Sequence, residues 1–343
     1  MAELRGELLG FIASPNADRF DGLALRVAQR QVETIEAYGR WVDHRGGFDH
    51  WTEVPWVPTE AFRRFDLCSE SPQGTDTIFE TSGTTTGSPG RRRAPDMRLY
   101  EAAMDRPFVD AVLGGDASRK AWVSLIPEST ELPTSSLSHM VSSLASRYAD
   151  LEHSSWHLRR GGLDVERAAE ALRATEGPTV VLATSFALLN LFDAWQGEDA
   201  RLAQGSRLML TGGFKGRSRT LDAADLERLI EARLGLPPEA IIGEYGMTEW
   251  TSQAYGHGVA PALQAPPWLR LRVIDPLTLQ DVAPGQVGLV AAFDLLNLEN
   301  VSAVLTSDLG SLDEQGRLRL HGRAPSARPR GCGLTALDWG TQA

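Results

Sequence analysis

Through the middle of the chain, short apolar runs alternate with amphipathic stretches. The runs over 121–125, 179–183, 207–210 and 240–242 are almost continuously apolar and read as buried strands. The stretches over 99–112, 137–148, 165–174 and 223–234 space their apolar residues as helices do. Alternation of this kind predicts a largely parallel sheet covered by helices on both faces. Earlier in the chain, Asp18 or Asp21 can cap a helix that runs through Leu25, Val27, Val32, Ile35 and Tyr38. Two prolines make the segment 54–58 extended, and a short strand is expected over 76–79. Near Pro266 the pattern changes to β-structure with tight turns, over 269–274, 287–293, 303–306 and 317–320, with 313–316 as a hairpin loop. The expected organisation is one α/β core over 1–325, β-rich from about 266, followed by a C-terminal tail over 326–343.

Charge narrows the function classes. The formal net charge is -11, which argues against a nucleic-acid or anionic-membrane partner, because binding phosphate polymers needs clustered positive charge. The local basic runs, Arg91 to Arg93 and Arg323 to Arg330, suit a small anionic ligand better. Two cysteines, Cys68 and Cys332, make neither a disulfide framework nor a zinc cluster, so a reduced, cytoplasmic setting is expected. The apolar stretch 180–192 is too short to span a membrane, and the charged N-terminus lacks a signal-peptide core.

Three motifs carry candidate chemistry. The first is Phe79-Glu-Thr-Ser-Gly-Thr-Thr-Thr-Gly-Ser-Pro-Gly90, after a short strand. Gly83 and Gly87 let the backbone approach a ligand closely, while Thr81, Ser82, Thr84, Thr85 and Thr86 add hydroxyl donors to an anion-binding loop. No Gly-Lys-Ser/Thr follows, so it is not the Walker loop. The second is Gly243-Glu-Tyr-Gly-Met-Thr-Glu249. Here Tyr245 can stack on a purine beside Gly246, Thr248 can bond a phosphate, and Glu249 can hold Mg²⁺. The third runs from Thr306 through Asp308 and Gly310 to His321-Gly-Arg323. Asp308 can accept both ribose hydroxyls, and Arg323 can reach the ribose or the α-phosphate. Each motif alone also fits an ordinary loop or hairpin.

Taken together, their order and spacing resemble the core motifs of the adenylate-forming superfamily, which includes acyl-CoA synthetases, peptide-synthetase adenylation domains and firefly luciferase. Thr211-Gly-Gly-Phe214 sits where that superfamily contacts adenine, which adds Gly212 and Gly213 to the nucleotide-binding set. The match sharpens toward the LuxE-like acyl-protein synthetases. It is carried by Thr211-Gly-Gly-Phe-Lys-Gly-Arg217, by Pro266-Pro-Trp268 leading to Asp275-Pro276, by Ser135-Ser-Leu-Ser-His-Met140 and by Arg330-Gly-Cys-Gly-Leu334. This resemblance implies the adenylate-forming N-terminal-domain fold, with layered, largely parallel sheets covered by helices and a small β-barrel-like subdomain. The mobile C-terminal domain of longer relatives is expected to be absent.

The resemblance also implies an activity: ATP-dependent conversion of a fatty or aryl carboxylic acid to acyl-AMP, followed by transfer to a thiol. In the LuxE-like branch a cysteine in the near-terminal motif receives the acyl group, and that role maps onto Cys332. Arg328 and Arg330 lie nearby in sequence and favour a thiolate. From Arg323 to Cys332 is nine residues (332 minus 323), a reach of roughly 30 Å when extended. Coenzyme A, a carrier protein or a reductase is the alternative acceptor. Where many relatives carry a lysine after the phosphate loop, this chain has Gly90 and Arg91-Arg-Arg93. Lys215 is one candidate for the missing charge. His139, near the helix start that Ser135 caps, and Thr184, Ser185 and Phe186, after a strand end, are candidate acid-pocket residues. Cys68 reads as structural. Two rivals stay open: an acyl- or aryl-CoA ligase or carrier-protein loading enzyme, and a binding subunit that holds ATP and acid without turnover.

Overall fold

The computed structural model describes residues 1–81, 88–212 and 222–324. The chain divides into two compact units. One holds Met1–Ala103, Gly246–Ser252 and the described residues from Ala265 onward; the other holds Met104–Tyr245 and Gln253–Gln264. Ser82, Gly83, Thr84, Thr85, Thr86, Gly87, Gly213, Lys215 and Cys332 lie outside the described residues.

The second unit is built on a six-stranded sheet, in the order Ala254–His257, Ile241–Tyr245, Arg207–Thr211, Thr179–Thr184, Ala121–Leu125, Ser155–Trp156. All pairings are parallel except that of the Ala254–His257 edge strand. The central strands are apolar and buried almost throughout, as parallel strands covered on both faces must be. On one face Val181, Ala183, Leu208, Leu210 and Ile241 join a core with Leu188, Leu191, Leu226 and Ile230 from the helices Ser185–Ala194 and Ala223–Leu234. These helices have clear ends. Asp222 accepts the Asp225 N–H at the start of Ala223–Leu234, and Gly235 closes that helix in the left-handed conformation at φ 70. Ser135 caps Ser136–Tyr148, as its sequence suggested.

In the first unit, a five-stranded sheet runs Val57–Pro58, Ala303–Leu312, Gly288–Asp294, Leu269–Ile274, with Leu318–Arg323 pairing Ala303–Leu312. Only Val57–Pro58 pairs in parallel. Its apolar residues pack with Leu8, Phe20, Val27 and Tyr38 of the N-terminal helices into one core. Phe20, Trp51 and Phe293 meet edge to face there, with ring centroids 5.4 Å (Phe20–Trp51) and 5.5 Å (Trp51–Phe293) apart. The α/β class, the parallel sheet and the β-rich segment are thus all present.

Two sequence-based expectations need correction. The helix expected to run unbroken through Ile35 is two helices, Ala17–Thr34 and Glu36–His44, and Ile35 between them is extended at φ -104, ψ 92. The cap of the first is Asn16, whose side chain accepts the Asp18 N–H, rather than Asp18 or Asp21. Ile35 and Tyr38 are both buried, so the apolar period carries on across a break in the backbone. The strand expected over 303–306 extends to Leu312, and its partner reaches Arg323. Asp308 and Arg323, fifteen positions apart (323 minus 308), are therefore register partners.

Residues 294–302, between the strands Gly288–Asp294 and Ala303–Leu312, are buried although four of them carry polar amide or carboxyl side chains. A buried polar group is costly unless paired, and each here is paired. Gln31, fully buried on the helix Ala17–Thr34, donates to the carbonyls of Asn297 at 2.7 Å and Asn300 at 2.6 Å. It also donates to Ser302 Oγ at 2.9 Å and accepts the Ser302 N–H at 3.0 Å. Arg5 pairs with Glu299 at 2.6 Å. Gln31→Ala should strand these groups and lower stability by about 2 to 3 kcal/mol in urea denaturation; a change within about 0.5 kcal/mol would show that the link carries no weight.

Candidate active site

Thr81 follows the strand Thr77–Glu80, which forms a hairpin with Arg91–Ala94. Thr81 N–H donates to the Gly90 carbonyl at 2.9 Å, and Gly90 N–H donates to Thr81 Oγ1 at 2.9 Å. This double bond between the two residues closes the base of the Ser/Thr/Gly segment. A Cβ on Gly90 would stand 3.2 Å from Thr81 Cγ2, so the close approach favours glycine.

The three arginines after Gly90 are not the free cationic patch that their sequence suggested. Arg91 pairs with Glu80 at 3.0 Å. Arg93 pairs with Asp76 at 2.6 Å and Asp66 at 2.8 Å. Arg92 is buried at 3% exposure and donates to the Trp250 carbonyl at 3.2 Å, to Thr251 Oγ1 at 2.6 Å and to Asn297 Oδ1 at 3.2 Å. Strand alternation explains the split, since Arg92 points inward between two outward neighbours. Its guanidinium fixes the segment that carries Glu249.

That segment is held from several sides. Asp294, fully buried, accepts N–H bonds from Thr251 and Ser252 at 2.8 Å each and from Leu296 at 3.0 Å. It also accepts the Ser252 hydroxyl at 3.0 Å. Burial raises the pKa of Asp294, and these donors pull it down. Asn297 donates to the Glu249 carbonyl at 2.9 Å and accepts the Thr251 hydroxyl at 2.6 Å. The backbone on either side of Trp250 is thereby fixed, and with it the origin of the Glu249 side chain.

Glu249 is buried, and desolvation pushes its carboxyl up to about 7. Nearby Arg323 lowers it, while Glu60 and Asp308 raise it. Asp308 is 6% exposed and accepts the Arg323 Nε–H at 2.9 Å. Glu249 thus lies within electrostatic range of Asp308, Arg323 and Glu60, and Asp308 is ion-paired to Arg323. Thr248 and Gly246, partly exposed, belong to the same short segment. Among the described residues no group of three or more His, Cys, Asp and Glu side chains could hold a metal ion. A single carboxylate in this setting still suits Mg²⁺, which keeps several waters and shares its remaining positions with phosphates.

A second cluster lies in the other unit, at the C-terminal ends of the parallel strands, where α/β sheets bind ligands. Gly212 follows the strand Arg207–Thr211 with φ 72, a conformation glycine adopts without strain. Its carbonyl accepts the Ser185 hydroxyl at 2.5 Å. Thr184 caps the helix Ser185–Ala194 by accepting the Ala187 N–H at 3.1 Å. Phe186 stands exposed on the first turn of that helix. Tyr245 ends the strand Ile241–Tyr245 and is buried. His139 lies half-buried in the first turn of Ser136–Tyr148.

Sequence reasoning missed Glu244. It receives a short hydrogen bond from the Thr211 hydroxyl across paired strands. Although the residue as a whole is only half-buried, desolvation of its carboxyl lifts the pKa to about 7, and the Thr211 bond lowers it. The available signal was a lone charge in an otherwise apolar strand sequence, Ile-Ile-Gly-Glu-Tyr. It missed the Asp294–Asn297 support for the same reason. Cys68 is buried, and its thiol is pushed up to about 11, which suits an inert structural residue. Among the described residues no helix is long and apolar enough to cross a membrane.

Residues 171–338 match the protein family described as acyl-protein synthetase, LuxE. No curated protein matches the chain. Among solved structures, the chain is similar to an open conformation of 2-hydroxyisobutyryl-CoA ligase in complex with 2-HIB-AMP and CoA (TM-score 0.65, 16% identity, covering 88% of this chain and 73% of that one). It is also similar to ATP-bound MatB from Rhodopseudomonas palustris (TM-score 0.51, 18% identity, 72% and 47%). A third is a long-chain-fatty-acid-CoA ligase, FadD1, from Archaeoglobus fulgidus (TM-score 0.51, 18% identity, 72% and 51%). At these identities the likeness shows the fold, and the chain spans about half the length of the MatB and FadD1 structures.

The two raised carboxyls set the sign of a pH effect. Both have an ordinary value of 4.5 and rise to about 7 when folded, so the folded chain keeps protons that the unfolded chain has lost. Their contribution to stability is complete below about 4.5 and is lost as pH rises through about 7. Glu244→Gln with Glu249→Gln should therefore flatten the decline in urea midpoint between about pH 5 and about pH 8. An equal decline in wild type and double variant would contradict the assignment.

Proposed function

We propose that this chain, LuxE-like by its family match over residues 171–338 and adenylate-forming in fold, activates a carboxylic acid as acyl-AMP and passes the acyl group to a thiol. One observation carries the reading: Glu249 and Asp308, read from two separate motifs and both buried, act on each other electrostatically, and Asp308 is ion-paired to the exposed Arg323. In this scheme an oxygen of the carboxylate forms a bond to the α-phosphorus of ATP. The bond from that phosphorus to the β-bridging oxygen breaks, and pyrophosphate leaves with the electron pair. The Thr81–Gly90 closure sets the base of the segment that receives the β- and γ-phosphates. Asp308 takes the ribose hydroxyls, Arg323 stays within reach of the α-phosphate, and Gly212 and Tyr245 frame adenine. Glu249 is the residue that would hold magnesium, which supplies charge neutralisation on the phosphates when bound. Most of the catalytic effect then comes from positioning and electrostatic stabilisation.

In the second step a thiolate attacks the carbonyl carbon of the mixed anhydride, the carbon–oxygen bond to the phosphate breaks, and AMP leaves. The proposed acceptor is Cys332 or a thiol on a partner protein. The fold likeness to CoA ligases supports coenzyme A as the alternative acceptor.

Acid-dependent exchange of labelled pyrophosphate into ATP should be detectable with at least one member of a broad acid panel. Asp308→Ala should raise the KM for ATP, and Glu249→Gln should lower exchange on the order of 100-fold. Both variants exchanging at the wild-type rate would remove the cluster from the reaction. For the second step, intact-protein mass spectrometry with ATP and acid should show an acyl adduct that Cys332→Ala abolishes. An adduct that survives the substitution places the acceptor elsewhere.

A further inference from the structure

We propose that Thr211 and Glu244 read a hydrogen-bond-donating group, an amine or a hydroxyl, on the acid that the chain activates. The inference rests on the acid-activation reading above and names the class of acid. Three neighbouring parallel strands carry it. Thr184 pairs in register with Thr211, and Thr211 pairs in register with Glu244. Register partners in a parallel sheet share a face, so the three side chains form one polar row at the C-terminal edge.

On these three strands the level directly beneath that row, Leu182, Met209 and Ile242, is apolar. Val180, Leu182, Met209 and Ile242 lie on the same face by strand alternation, and each is at most 2% exposed. The opposite face stays apolar to Ala183 and Leu210, under the helices Ser185–Ala194 and Ala223–Leu234. On these three strands a polar level thus sits directly above an apolar one, at the ligand-binding end of the sheet. Tyr245, proposed to frame adenine, follows Glu244 and projects to the other face, so the row is separate from the adenine contact.

Within the row the hydroxyls are committed. Thr184 Oγ1 caps a helix, and the Thr211 hydroxyl donates to Glu244 Oε2. The other carboxyl oxygen of Glu244 has no hydrogen-bond or ion-pair partner among the described residues. A half-buried carboxyl with one oxygen bonded by the protein and the other open, directly above an apolar level, is a ready acceptor for a ligand donor. A ligand that brings a donor completes it, and an unadorned alkyl chain leaves it unsatisfied. Sites built to bond a substrate donor reject analogues that lack it far more strongly than apolar pockets discriminate by size.

The test measures pyrophosphate exchange on length-matched acids: plain alkanoic, hydroxy-substituted and amino-substituted. In wild type, the best donor-bearing acid should exceed its plain counterpart in kcat/KM on the order of 100-fold. Glu244→Leu should erase that ratio, and Glu244→Gln should restore the preference for the hydroxy acid in part. Calorimetric binding of the same acids to wild type and Glu244→Leu gives a readout that needs no turnover. If no acid supports exchange, the activation reading fails, and the binding ratio still decides the role of Glu244. Equal binding of plain and donor-bearing acids, or a preference that Glu244→Leu leaves unchanged, would overturn the proposal.

Discussion

Asp294 and Asn297 hold the short segment that carries Glu249, and the first-unit cluster depends on that grip. Both sit where the strand Gly288–Asp294 turns toward the next, and both bond the backbone or hydroxyls of residues 249–252. Arg92 adds a guanidinium from the hairpin that ends the Ser/Thr/Gly segment. Replaced by apolar side chains, this network would remove a desolvation cost and lose the fixed geometry. Fully satisfied buried networks specify one arrangement, whereas partly satisfied ones are costly. Gln31 and Arg5 extend the same logic to the N-terminal helices, which therefore support the cluster without entering it.

The motif from Gly243 to Glu249 is divided by this architecture. Its first half belongs to the parallel sheet, where Gly243, Glu244 and Tyr245 end a strand. Its second half belongs to the unit with the antiparallel sheet. Each half meets different chemistry: Glu244 joins a polar row at a sheet edge, and Glu249 joins an ion-paired carboxylate. One seven-residue stretch thus supplies side chains to two proposed tasks, acid recognition and phosphate handling.

Much of the fold was legible from local pattern. The strands near 121–125 and 179–183 were readable because buried parallel strands are continuously apolar, and the helix at 223–234 because its apolar residues recur at helical spacing. The break at Ile35 was not, since burial kept the apolar period intact while the backbone changed course. Of the site, Glu249, Asp308 and Arg323 were readable as motif members, while their meeting depends on strand register across a fifteen-residue separation (323 minus 308). Arg92 and Arg93 were misleading, because a run of arginines looks solvated in sequence and alternation turned one of them inward. Glu244, Asp294 and Asn297 were hidden for a common reason: the partners that make a buried polar group tolerable lie far away in sequence.

The central claim is that the acid attacks the α-phosphorus, and the fate of oxygen tests it most directly. Acid labelled with ¹⁸O in its carboxylate is incubated with ATP, magnesium and a thiol acceptor or hydroxylamine, and the products are weighed by mass spectrometry. The account predicts AMP carrying one labelled oxygen for each acyl group transferred, because the bridging oxygen of the acyl-adenylate leaves with AMP. Unlabelled AMP, or label in inorganic phosphate with ADP as the nucleotide product, would contradict it.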